Sequence, residues 1–136
     1  MNPIFADTGY WIAMINPRDQ YHRLAMQITA ALREERIVTS ELVLVEFLNG
    51  FAGSGALLRS AAARSVLLIA SGAEATVVKV SNDLFARALT LYSERIDKEW
   101  SLTDCASFLI MSEYGIESAL TPDRHFEQAG FKALMR

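Results

Sequence analysis

Four acidic side chains stand where a carboxylate could do chemistry. Asp104 lies in Ser101-Leu102-Thr103-Asp104-Cys105, in the first turn of a helix that continues with Ala106, Phe108, Leu109, Ile110 and Met111 at apolar helical spacing. Glu46 is the one acid beyond the first turn of another apolar helix, and Asp7 and Asp123 each follow a predicted strand. Carboxylates gathered in one crevice cannot all ionise without compensation, because like charges a few ångströms apart raise each other's pKa. A divalent cation removes that conflict. Oxygen-only ligands favour hard ions, Mg²⁺ or Mn²⁺, and such an ion can activate water and stabilise the leaving oxygen of a phosphodiester. The chemistry expected of this set is hydrolytic.

Each acid also has a plainer explanation. Asp104 stands three residues after Ser101 and could be the acidic partner of a capping pair, or be favoured by the helix dipole. Asp7 before Thr8-Gly9, and Asp123 after Pro122, could be turn residues bonding their own backbone. Glu46 is harder to dismiss, because a mid-helix acid among apolar neighbours is costly unless paired or on a metal, although it could simply reach solvent on the narrow side of Asn49 and Gly50. The case for chemistry therefore rests on convergence.

The elements that would position these residues alternate between short strands and long helices. Pro3 to Ala6 reads as a buried first strand with Asp7 at its mouth, followed by a short helical turn from Tyr10 to Ile15. Tyr21 to Glu34 is an amphipathic helix with Leu24, Ile28, Ala31 and Leu32 inward. Arg36 to Thr39 is a second strand, and Ser40 caps a helix to about Ala52 whose apolar residues point in nearly every direction, so that it should be packed on most sides. Ala56 to Ser71 is a further helix, and Thr76 to Val80, β-branched throughout, is the best strand in the chain. Ser81 or Asn82 caps a helix ending near Ile96, and Gly115 ends the helix that carries Asp104. Glu117 to Leu120 is a strand, Arg124 to Gln128 one helical turn, and Phe131 to Leu134 a last edge strand.

This pattern implies right-handed crossovers and a three-layer α/β/α fold with a mostly parallel central sheet, in which ligands sit beyond the carboxyl ends of the strands. Asp7 and Asp123 should open onto that crevice, and Asp104 can lie there too.

The bulk numbers fit one ordered domain over residues 1–136: 51% of residues are hydrophobic, 21% charged, and there are 3 Pro. Thirteen Lys and Arg against sixteen Asp and Glu give a net charge of −3, so no overall basic field holds nucleic acid. A phosphate-bearing substrate would have to be held locally. Cys105 is the single cysteine, which excludes an internal disulfide and fits a reducing compartment. No apolar run approaches the roughly 20 residues of a membrane span. A soluble, cytoplasmic protein is expected.

Asp7-Thr8 after the first strand, Glu46 in the helix opened by Ser40-Glu41, Trp100 to Asp104, and the run from Leu120-Thr121-Pro122-Asp123-Arg124-His125-Phe126 to Gly130-Phe131 together resemble PIN-domain ribonucleases of the VapC toxin type. The resemblance covers essentially the whole chain, and its two C-terminal motifs are the specific ones. It implies a PIN-type α/β/α fold, a Mg²⁺- or Mn²⁺-dependent endoribonuclease acting on RNA through metal-activated water, and control by a cognate antitoxin encoded alongside. It also implies that Asp7, Glu46, Asp104 and Asp123 are the catalytic, metal-holding acids. Pro122 departs from the residue that many members carry before the fourth acid.

Other residues receive weaker expectations. Thr8 and Thr121 could orient a carboxylate, with ordinary turn bonding equally expected. Asp97 is better read as solvated surface, and Arg18, His22, Arg23, Lys98 and Arg124 as scattered cations rather than phosphate clamps. His125 is a poor metal candidate, expected in packing or on the surface, and Cys105 an inert core thiol. Tyr10, Trp11 and Trp100 could stack on bases, but core or partner-interface use is the stronger expectation.

Two other functions fit parts of the pattern. A receiver-type phosphoacceptor domain shares the length and the α/β alternation, yet Asp7 lacks a neighbouring acid and no lysine ends a late strand. A catalytically idle interaction module would dock a partner along the helices from Ser40 to Ser71, and docking can coexist with catalysis, an amphipathic antitoxin segment placing an Arg or Lys near the acids. Excess apolar surface also suggests a homodimer.

Overall fold

Every residue of the first strand, β1 (Ile4–Ala6), is buried, as a strand covered on both faces requires. The computed structural model describes residues 2–136 and sets β1 at the centre of a five-stranded sheet. The other strands are β2 (Ile37–Ser40), β3 (Thr76–Val78), β4 (Ser118–Leu120) and β5 (Lys132–Ala133), ordered β3-β2-β1-β4-β5. All neighbouring pairs are parallel, with Phe5 opposite both Val38 and Ala119 and Ala6 opposite Leu120. The mostly parallel sheet expected from sequence is thus wholly parallel among the described residues.

Helices α1 (Thr8–Ile15) and α2 (His22–Ala31) join β1 to β2, and α3 (Glu41–Phe51) with α4 (Ala56–Ala70) join β2 to β3. The chain then crosses the sheet through α5 (Asn82–Glu94) and α6 (Leu102–Tyr114) to β4, and α7 (Arg124–Gln128) leads to β5. Right-handed crossovers put the outward-stepping helices on one face and the returning ones on the other. Accordingly α1 packs on α2, α3 and α4, while α6 packs on α5 and α7. The result is three layers, α/β/α. Phe5, Phe126 and Phe108 link the sheet to the second helical layer through ring contacts, and Phe47 and Phe51 fill the first.

Four local expectations change. The first helix begins at Thr8, not Tyr10, so Asp7 is its N-cap residue. The second stops at Ala31 rather than Glu34, where the Glu35 carboxylate takes the Arg33 amide at 2.6 Å and offers the backbone an alternative to the helix. The strand predicted to Val80 stops at Val78, because the Val80 amide donates to Glu41 Oε1 at 2.7 Å instead of to the sheet. And α3 is not packed all round: Val43, Leu44, Phe47 and Phe51 are buried, but Val45 is 52% exposed.

Candidate metal centre

The strand order reverses at β1, since β2 and β3 lie to one side of it and β4 and β5 to the other. The crevice beyond the carboxyl ends of β1 and β4 is therefore the natural place for a ligand in this sheet. Asp7 leaves β1 at that point, and Thr121-Pro122-Asp123 leaves β4. The two turns touch. A Cβ added at Gly9 would lie 2.8 Å from Pro122 Cδ, so glycine there lets the first turn of α1 close against the β4 turn. Pro122, the departure noted in the sequence, is the residue it closes on.

Asp7 is only 5% exposed, and although it holds the N-cap position its carboxylate makes no capping bond. Its Oδ2 accepts the Thr121 hydroxyl at 3.0 Å, and the Thr121 oxygen in turn accepts the Asp123 amide at 3.1 Å. Oδ1 of Asp7 is buried with no hydrogen-bond partner among the described residues, and so is the Thr8 hydroxyl. Burial pushes the Asp7 pKa up to about 7 from 3.8, with the charges of Asp104 and Glu46 adding to the rise against the pull of the Thr8 amide and the Thr121 hydroxyl. A neutral acid or a nearby cation would relieve this group.

Asp104 completes the capping pair the sequence allowed and also stands in the acidic crevice. Ser101 accepts the Asp104 amide at 3.0 Å while Asp104 Oδ2 accepts the Ser101 amide at 3.1 Å, a complete capping box. The same Oδ2 lies 3.0 Å from His125 Nδ1. Burial raises the Asp104 pKa and the charge of Asp123 adds to it, while the Ser101 amide and His125 oppose the rise. Asp123 caps α7 by accepting the His125 amide at 2.9 Å, and its Oδ1 stands 3.4 Å from His125 Nδ1. Asp104, Asp123 and His125 each present one ligand atom within 4.8 Å of the others.

His125, expected in packing or on the surface, is instead part of the acidic cluster. Its signal in the sequence was the Asp-x-His spacing at a helix start, which turns the imidazole back over the capping carboxylate. Glu46 takes the plainer of the two positions open to it. It is exposed on α3 rather than held among apolar neighbours, so the burial argument for it fails, although its charge still reaches Asp7. Neither Asp7 nor Glu46 offers an atom to the tight three-residue group.

The remaining expectations sort cleanly. Asp97 pairs on the surface with Arg95 at 3.0 Å and lies 3.9 Å from Lys98. Arg18, Arg23 and Arg124 are exposed, and His22 is bound through Nδ1 to the Ala13 carbonyl at 2.7 Å. Tyr10, Trp11 and Trp100 are core residues, tied to Thr29, Thr39 and Gln128 respectively. Cys105 is buried, its thiol pushed up by that burial and by the charge of Asp104, which makes it inert. A buried carboxylate oxygen without a partner, beside further acids, fits a hard divalent cation.

The family profile of the PIN domain matches residues 4–132. The chain is 33% identical over 131 residues to the 23S rRNA-specific endonuclease VapC20 of Mycobacterium tuberculosis, covering 94% of this chain and 95% of that protein. The crystal structure of the same M. tuberculosis protein, described as a sarcin-ricin loop cleaving toxin, superposes with a TM-score of 0.84 at 29% identity, over 94% of this chain and 95% of that one. VapBC2 of Rickettsia felis, bound to a DNA fragment from its promoter, shares the fold with a TM-score of 0.65 at 12% identity, covering 96% of each chain.

Proposed function

The chain belongs to the PIN-domain family, and on that premise we propose that it is a divalent-metal-dependent endoribonuclease, the toxin of a toxin–antitoxin pair. The observation that carries the reading is Asp7: a carboxylate buried beside Asp104 and Glu46, with one oxygen bonded by Thr121 and the other unpartnered. Asp7, Asp104 and Asp123 would hold Mg²⁺ or Mn²⁺ at the mouth of β1 and β4. When bound, the ion supplies positive charge against the phosphodiester and lowers the pKa of water. The protein's own part is positional. Thr121 fixes which Asp7 oxygen is free, the capping box fixes Asp104, and Glu46 stands on the exposed rim where substrate would approach.

Residues 1–136 act in this reading as a single nuclease domain in the cytoplasm. Among the described residues no helix is long and apolar enough to cross a membrane. Ribosomal RNA is the first substrate to test, because the M. tuberculosis relative is named for cleaving 23S rRNA. The cognate antitoxin would dock on the apolar groove of about 550 Å³ lined by Leu44, Val45, Leu48, Val66, Ala70 and Val77. That groove lies between α3, α4 and β3, apart from the acids. Phe85, Leu89 and Tyr92, exposed along α5, and Ile96 just beyond its end support a homodimer.

The test is to incubate the purified chain with Mg²⁺ or Mn²⁺ and total RNA that includes ribosomal RNA, then sequence the new 5′ ends. Discrete cuts are expected, lost with chelator and reduced by at least about a hundredfold in Asp7→Asn and Asp104→Asn. Cutting that survives chelation, or variants as active as the parent, would sink the reading.

A further inference from the structure

We infer that His125 is a direct ligand of the ion, making the centre a mixed nitrogen and oxygen site that prefers Mn²⁺ to Mg²⁺. This deepens the metal reading and rests on it. His125 Nδ1 lies 3.0 Å from Asp104 Oδ2 and 3.4 Å from Asp123 Oδ1. With metal–ligand bonds of about 2.1 Å, neighbouring ligands of an octahedral ion stand about 3.0 Å apart. The imidazole and carboxylates are thus already spaced as adjacent ligands.

Three further facts support the assignment. The three ligand atoms lie within 4.8 Å of one another, close to the span of one coordination sphere. Near enough to feel the charge of Asp104, Asp7 is 5% exposed and has an oxygen with no hydrogen-bond partner among the described residues. And the His125 amide is held on Asp123, which keeps the imidazole over the two carboxylates; an ion would take the place of the Nδ1 contact with Asp104. Imidazole is a poor ligand for Mg²⁺ and a good one for first-row transition ions, so its presence tilts selectivity toward Mn²⁺.

The experiment loads the full-length, metal-free protein with Mn²⁺ and records pulsed electron paramagnetic resonance. The expected result is a ¹⁴N coupling from a directly bonded imidazole, absent in His125→Gln. Competition titrations should show the Mn²⁺ over Mg²⁺ preference falling at least about tenfold in that variant. Mn²⁺ binding without nitrogen coupling in the parent would overturn the assignment while leaving the metal centre intact, with His125 a hydrogen-bond partner of Asp104. Failure of Mn²⁺ to bind would overturn both. The parent's spectrum decides the matter even if the variant does not fold.

Discussion

Asp7 costs the metal-free fold stability at neutral pH and above, because its folded pKa of about 7 lies above the ordinary value of 3.8. A raised carboxylate pKa favours folding fully below the unfolded value, and the advantage is lost as pH rises through the folded one. Three units correspond to about 4 kcal/mol as an upper bound, and the raised pKa of Asp104 acts in the same direction. Urea denaturation of chelated protein should therefore show the parent weakening between about pH 4 and 7, the window between the unfolded and folded pKa values. Asp7→Asn should be flatter there, and more stable than the parent by about 1 to 4 kcal/mol at about pH 8. A variant no more stable than the parent at that pH would refute the account of burial. Thr121→Val should cost about 1 to 3 kcal/mol in a thermal melt, since it strands both the Asp7 oxygen and the Asp123 amide, whereas Thr121→Ser should recover most of it.

At the level of elements, two contacts hold the site's turns. The Ser101 cap fixes the start of α6, and Ser101→Ala should lower stability by about 1 kcal/mol, measurable by denaturant midpoint. Gly9→Ala should cost about 1 to 3 kcal/mol by pressing Cβ on the Pro122 ring, and Pro122→Ala in the same chain should return most of it. If the double variant is as weak as the single, the two turns are not coupled through this contact. The alternation of apolar runs and caps made most of these elements legible in the sequence, and with them the placing of Asp7 and Asp123 at strand ends. Three features were not legible. Periodicity could not show that α3 leaves Val45 and Glu46 in solvent, because a helix apolar all round does not reveal which side its neighbours cover. β-Propensity overrated Thr76 to Val80, which became a short edge strand once Glu41 took its amide. His125 was overlooked because a lone histidine carries no ligand spacing of its own; the Asp-x-His spacing after β4 gains meaning only once α7 folds over Asp123 and brings Asp104 alongside.

For the molecule as a whole, ion binding and stability are linked. A divalent ion bound only by the folded state, at a hundred times its Kd, should add about 2.7 kcal/mol, seen as a rise in Tm that chelator reverses. Asp104→Asn should blunt the rise. The Asp7 to Thr121 hydrogen bond spans 114 residues of chain, across the pairing of β1 with β4. Its consequence concerns birth rather than catalysis. While a ribosome is still making the chain, Asp7 has emerged but Thr121 and Asp123 have not, so the site is incomplete until the last strands fold. Nascent chains halted before Ser118 are expected to retain no Mn²⁺.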